Sequence, residues 1–130
     1  MKNEALKKRT KDFDLRIIRM VDAVPETTVG DVLGRQIVRS AASVAANYRA
    51  SCRARSRAGF IAKMALVEEE ADESALWLAL IAESGQLKSS RTEDLHREAG
   101  ELAAIAVASI RTARARSTSP QSALRTPRSR

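Results

Sequence analysis

Aromatic residues are scarce in this sequence, since Phe, Trp and Tyr together make up 3% of the chain. The core must therefore be built from Ala, Val, Leu and Ile, which suits close packing of helices better than a β-sandwich or a β-barrel. Long apolar runs are missing too, because stretches such as Leu76 to Ala82 are far shorter than the ~20 residues that span a bilayer. We therefore expect an all-α fold without a transmembrane helix.

Cys52 and His96 are the single cysteine and the single histidine, so neither an internal disulfide nor a familiar metal-ligand spacing is available. Glu93 and His96 form one Glu-x-x-His pair, whereas carboxylate-bridged di-iron bundles need two such pairs and further glutamates. His96 is also the lone imidazole that could activate a nucleophile, and the five glycines form no phosphate-binding loop. We expect no enzyme activity, no cofactor and no metal site, with Cys52 as a small packing residue and His96 exposed.

The length of 130 residues predicts one domain with a modest core. Residues 1–10 are polar and lysine-rich, so we expect a flexible N-terminus. Residues 11–116 contain four helical segments, and residues 117–130 are dominated by Arg, Ser, Thr and Pro, which predicts a disordered basic tail. Because the charged start of the chain is not followed by an apolar segment, we expect no secretion signal and a cytoplasmic protein.

Four helices with short connections predict an up-down four-helix bundle. The expected bounds are about Lys11 to Val24, Val29 to Arg53, Arg57 to Ser84, and a fourth helix that ends near Ala115. Thr27 or Thr28 caps the second helix, Ser56 caps the third, and Ser90 with Glu93 forms a capping box for the fourth. Gly85 accepts the left-handed conformation that ends the third helix.

Two helices carry the clearest core pattern. In the third helix, apolar or small residues recur at alternating steps of four and three, the spacing of a helix–helix seam: Phe60, Met64, Val67, Ala71, Ser74, Leu78 and Ile81. In the second helix one face is formed by Leu33, Ile37, Ala41, Val44 and Tyr48. Further apolar residues lie outside these faces, so we expect self-association to cover the excess.

An acidic run, Glu68 to Glu73, lies in the third helix. If the second and third helices fold back on each other near residue 56, Arg39 faces this run. We therefore predict an interhelical ion pair of Arg39 with Glu73 or Glu70, which sets the register of the two helices.

Basic residues cluster in two places. One group surrounds the turn between the second and third helices, and the other follows residue 110, where six arginines and no acid occur. Phosphate contacts are one interpretation, and a solvated helix end with a solubilising tail is the other. The candidate nucleic-acid-binding residues are Arg49, Arg53, Arg55, Arg57, Lys63, Arg111, Arg114 and Arg116. Since Tyr48 and Phe60 are the nearby aromatics, we expect contacts to phosphates rather than stacking on bases.

The segment Gly34 to Asn47, followed by Arg55 to Phe60 and by Trp77-Leu78, resembles the four-helix-bundle family of 23S rRNA intervening-sequence proteins. That family is related to the accessory variability protein of diversity-generating retroelements. The resemblance implies a ring-like homopentamer without enzyme activity and, in the retroelement branch, basic surfaces that engage nucleic acid and a reverse transcriptase. Our functional hypothesis is an RNA- or DNA-associated, self-assembling bundle. The alternative is a structural adaptor for a protein partner without a nucleic-acid role.

Overall fold

A computed structural model describes residues 2–117, and four long helices account for most of them. They are α1 (Lys2–Val21), α2 (Thr28–Cys52), α3 (Arg57–Glu83) and α4 (Glu93–Ser117). A single 3₁₀ turn, Ser89–Arg91, precedes α4, and the described residues contain no β-strand. The all-α prediction is confirmed. The tail predicted over 117–130 lies outside the described residues, apart from Ser117 at the end of α4.

The helices run alternately up and down. Each packs against its neighbour in the chain, and α1 also packs against α4, so the four enclose one core. The start of α1, the end of α2, the start of α3 and the end of α4 consequently share one end of the bundle. No helix in the described part of the chain is long and apolar enough to cross a membrane.

The core follows the predicted stripes. All five residues predicted for the inner face of α2 are buried, and on α3 the buried residues run from Met64 to Ile81 at the predicted spacing. Phe60, at the start of that seam, is only partly buried, as is Trp77, and both pack against the core. Because aromatic residues are scarce, the interior consists almost wholly of aliphatic and small residues.

The start of α1 corrects the prediction of a flexible segment over residues 1–10. Among these residues, 2–10 are helical, and Thr10 is buried. Arg9 bonds Glu98 through two nitrogens, at 2.7 and 2.8 Å, and Glu101 at 2.6 Å, both on α4. The hydrogen bonds to Glu98 raise the pKa of Arg9 above its ordinary value. The sequence pattern missed this part of α1 because its attachment combines these ion pairs with the packing of Leu6 against the core, which gives no regular apolar period.

The helix ends follow local chemistry. The side chain of Thr27 accepts a hydrogen bond from Gly30 N at 3.0 Å, and that of Ser56 accepts one from Gly59 N at 2.9 Å, so both predicted N-caps form. Gly85 has a φ of 82°, as a left-handed C-cap requires. The predicted capping box on Ser90 is wrong: Ser90 lies in the 3₁₀ turn, and α4 begins only after the buried Thr92.

Asp14 of α1 is the unusual polar residue in this packing. Its side chain is partly buried, and its Oδ1 atom is enclosed without a hydrogen-bond partner among the described residues. Burial raises the pKa of the Asp14 carboxyl above its ordinary value of 3.8. The ionised form is therefore less favourable in the folded protein than in the unfolded chain.

Asp14→Asn is expected to raise the free energy of unfolding at pH 7 by up to about 1 kcal/mol, because it removes a poorly solvated charge. In the wild type, the ionised Asp14 lowers the free energy of unfolding by its full amount at pH values above the raised folded-state pKa. This destabilisation decreases as the pH falls and disappears toward the ordinary value of 3.8. Urea unfolding of both proteins at several pH values measures whether their free energies of unfolding become equal at low pH.

The matched control is Asp12→Asn, which removes the exposed pair that Asp12 forms with Lys8. This variant should lose a few tenths of a kcal/mol rather than gain stability. An Asp14→Asn variant with unchanged stability at pH 7 would contradict the assignment of an uncompensated charge.

Candidate functional site

All eight cations that the sequence singles out are brought to one end of the bundle. Each lies within about two helical turns of the end shared by the start of α1, the end of α2, the start of α3 and the end of α4. All eight side chains are exposed. Two groups that are separate in sequence, one around residue 53 and one around residue 114, thus form one basic surface. We call this surface the basic end.

Acids are nearly absent from the basic end. The sequence contains none between Asp31 and Glu68 and none after Glu101, so the end of α2, the start of α3 and the end of α4 contribute only cations. Glu4 is the acid that the first turn of α1 adds. The opposite end mixes both signs, with acids such as Asp22 and Glu83 beside bases. The electrostatic potential is therefore more positive at the basic end than at the opposite end of the bundle.

Helix dipoles account for some of these cations but not for Arg57. Cations near the ends of α2 and α4, such as Arg49 and Arg114, are favourable because a helix C-terminus carries partial negative charge. Arg57 is the first residue of α3, where the dipole disfavours a cation. The other three long helices have an acid in the first turn, and α3 has none. The positive charge at this helix start is thus not explained by helix stability.

A groove of about 630 Å³ opens at the basic end, between the first turns of α1, the end of α2, the first turn of α3 and the last turns of α4. Its apolar lining includes Leu6, Tyr48, Phe60 and Ile105. Two of the predicted phosphate-binding residues, Arg57 and Arg116, also line it. Because they come from α3 and α4, this groove is direct evidence that the two basic groups meet. We call it the end groove.

Polar groups are also present in the end groove, from Asn3, Ser109 and Thr112. Tyr48 is nearly buried, and its hydroxyl oxygen lies 3.5 Å from Asn3 Oδ1. Burial raises the pKa of Tyr48 above its ordinary value of 10. The hydroxyl, which is protonated at neutral pH, donates to Asn3 Oδ1. The sequence did not single out Asn3, Ser109 or Thr112, because their shared location depends on how α1 meets α4.

Arg39 lies against both predicted acidic partners on α3. Its guanidinium pairs with Glu70 at 3.2 Å and also with Glu73, and its side chain is 49% exposed. One residue along, the side chains of Ser40 and Ser74 are joined by a 2.8 Å hydrogen bond, and both residues are fully buried. The α2–α3 contact therefore has an exposed ionic layer and a buried hydroxyl layer at almost the same level.

No group of three or more His, Cys, Asp or Glu side chains with metal-binding geometry occurs within residues 2–117. His96 is exposed in the first turn of α4, where its backbone N–H donates to Thr92 O at 2.9 Å. Cys52 is partly buried and packs against the core.

A family model for 23S rRNA-intervening sequence proteins matches residues 2–108. The chain belongs to this family. A solved structure from Bacteroides thetaiotaomicron, described as a protein of unknown function from the S23 ribosomal protein family, shares the fold with a TM-score of 0.78. That match has 28% sequence identity and covers 85% of this chain and 99% of the other. No curated protein matches significantly.

Membership of the 23S rRNA-intervening sequence protein family confirms the resemblance found in the sequence and agrees with the four-helix architecture. The family match ends at residue 108, before Arg111, Arg114 and Arg116. The arginines that α4 contributes to the basic end thus lie beyond the segment that the family model matches.

The exposed ionic layer and the buried hydroxyl layer of the α2–α3 contact are expected to contribute differently to the free energy of unfolding. Ser74→Ala should lower the free energy of unfolding by about 0.5–1.5 kcal/mol, because it removes the interhelical hydrogen bond and leaves the buried Ser40 hydroxyl only its longer bond to Ile37 O. Arg39→Met should cost less than about 1 kcal/mol, since an exposed ion pair is weak. Urea unfolding monitored by Trp77 fluorescence measures both.

The double variant Ser40→Ala with Ser74→Ala should lose less stability than the two single variants added together, because either single variant already removes the hydrogen bond that the two serines share. A larger loss for Arg39→Met than for Ser74→Ala would mean instead that the ion pair sets the register.

Proposed function

We propose that this member of the 23S rRNA-intervening sequence protein family is a non-enzymatic, cytoplasmic, self-assembling bundle that binds RNA through phosphate contacts at its basic end. The observation that carries the proposal is the convergence of Arg53, Arg55 and Arg57 with Arg111, Arg114 and Arg116 at one end of the bundle. Polyanion binding by such a surface releases counterions and needs no particular base sequence.

Arg57 adds a more specific argument. It makes no ion pair with a described residue and opposes the dipole of α3, so folding alone gives no reason for a cation there. A phosphate at this position would be attracted both by the guanidinium and by the positive end of the helix. Phosphate binding would therefore give Arg57 a role that folding alone does not require.

Self-assembly is supported by two exposed stripes on neighbouring helices. On α2, Arg35, Arg39, Ala42 and Ala46 recur at steps of four, three and four, and all are exposed. On α3, Leu76 and Leu80 are 52% and 38% exposed and share a stripe with the exposed Glu69 and Glu83. Glu73 lies in the same stripe, but it is partly buried and already pairs with Arg39 of its own chain. One stripe is basic with small residues, and the other is acidic with large apolar residues, so they are complementary.

Because the two stripes lie on different helices, the α2 stripe of one copy would meet the α3 stripe of the next. Such a heterologous contact closes into a ring if the rotation between copies allows it. We propose the homopentamer that the family resemblance implies. This ring would use the middle of the bundle and the end opposite the basic end, leaving the basic end available for nucleic acid.

For RNA binding, the triple variant Arg53→Gln, Arg55→Gln, Arg57→Gln is expected to weaken the affinity for a structured RNA strongly. It should also lower the slope of log affinity against log salt by about two, since roughly three phosphate contacts are lost. Fluorescence anisotropy at low and physiological salt measures both quantities. A chain that ends at residue 116 should still bind, because the bundle itself carries the proposed site.

The matched control is the triple variant Arg19→Gln, Lys88→Gln, Arg91→Gln, which removes the same charge from exposed positions at the opposite end, outside both stripes. Equal weakening by both triples would mean attraction by net charge alone and would contradict a located site. Binding that disappears in the chain ending at residue 116 would assign it to the tail. No binding by any of these proteins would favour the alternative of an adaptor for a protein partner, such as a reverse transcriptase.

For assembly, the double variant Leu76→Glu with Leu80→Glu is expected to give monomers where the wild type gives a discrete oligomer. Two carboxylates would replace the exposed apolar part of the α3 stripe, and they would add to the acids already there. Native mass spectrometry measures the mass of the assembly, and Trp77 fluorescence reports the change in solvent exposure next to the stripe.

Leu15→Glu with Ile18→Glu provides the control, since these α1 side chains are similarly exposed, at 37% and 46%, but belong to neither stripe. This variant should assemble as the wild type does. A wild-type monomer, or dissociation in both variants alike, would be evidence against the proposed contact.

A further inference from the structure

We infer that the end groove holds one unpaired nucleotide of a bound RNA strand, with its base in the groove and its phosphate on the rim. This inference rests on the proposed RNA binding but goes beyond it, because phosphate contacts alone require no cavity. It also differs from the sequence-based expectation that bases are not contacted.

The size and the lining of the groove favour a compact ligand that is partly apolar. Its volume of about 630 Å³ lies within the range of ordinary small-molecule sites. Phe60 is one of the chain's four aromatic residues, and it is only partly buried, so it can offer a ring face in this groove beside the partly buried Leu6 and Ile105. Aromatic and apolar side chains of this kind are the surfaces on which single-stranded bases stack.

Charge complementarity identifies the other part of the ligand. Arg57 and Arg116 contribute two guanidinium groups to the same groove, from α3 and from α4. Guanidinium groups bind phosphate oxygens with good geometry and with assistance from charge. A ligand with an apolar body and a phosphate fits both features, and a nucleotide within an RNA strand has this composition.

The polar atoms of the groove distinguish a base from an alkyl chain. Asn3, Ser109 and Thr112 offer hydrogen-bond donors and acceptors, and the protonated hydroxyl of Tyr48 lies beside Asn3. An alkyl chain would cover these groups without satisfying them, at a cost in free energy. A nucleobase presents apolar faces together with a polar edge, so it can bond them. An unpaired base offers that edge, whereas a base within a duplex does not.

The test uses the full chain and a short RNA that carries one 2-aminopurine in an unpaired segment. Ala108→Phe fills the groove from α4 without changing charge, because Ala108 is an exposed residue of its lining. The control is Ala104→Phe, one turn earlier on α4, at an exposed position outside the groove. We expect Ala108→Phe to weaken RNA binding about tenfold and to abolish the change in 2-aminopurine fluorescence. Ala104→Phe should leave both unchanged.

Replacing the 2-aminopurine nucleotide by an abasic one should weaken binding to the wild-type protein by a similar factor, a result that does not depend on any variant folding correctly. Equal binding of abasic and intact RNA, or equal behaviour of the two Phe variants, would overturn the inference while RNA binding at the basic end still stands. Wild-type protein that binds no RNA would instead overturn the proposed function and this inference with it. Adenosine monophosphate that binds as tightly as the RNA would assign the groove to a free nucleotide and overturn the assignment to an RNA strand.

Discussion

The close contact of α2 with α3 is the constraint on which the rest of this structure depends. Ser40, Ala41, Ala71 and Ser74 are all fully buried, and their small side chains let the two helices approach closely enough for the two hydroxyls to bond. Because the 2.8 Å bond between the two hydroxyls forms in one register only, α2 and α3 cannot slide past each other without losing it. This register determines which residues of the two helices share an end, and therefore where the cations meet.

Much of the fold was predictable because apolar spacing encodes it. The seam from Met64 to Ile81 and the caps at Thr27 and Ser56 follow from local patterns, which depend little on distant parts of the chain. The first turns of α1 were not predictable in this way. Their attachment depends largely on the ion pair of Arg9 with Glu98, between residues far apart in sequence, and no periodicity reveals it.

The candidate site was predictable in its residues but not in its shape. Each cation could be recognised from sequence, and the up-down topology was enough to bring Arg57 and Arg116 to one end. The end groove, however, depends on the distance between α1 and α4 and on which side chains leave space there. Ser109 and Thr112 have no distinguishing pattern in the sequence, so only the packed helices reveal that they share a cavity with Tyr48.

The distribution of apolar residues on α3 suggests why the two proposed activities use different parts of one bundle. A helix that is apolar on several sides must be covered on several sides, and one chain buries fully only the seam from Met64 to Ile81 within the described residues. Leu76 and Leu80 remain exposed on the half of α3 farther from the basic end. Assembly through that half would bring several basic ends together around one axis. A multivalent surface of this kind binds a long polyanion more tightly than any single end could, because later contacts become intramolecular.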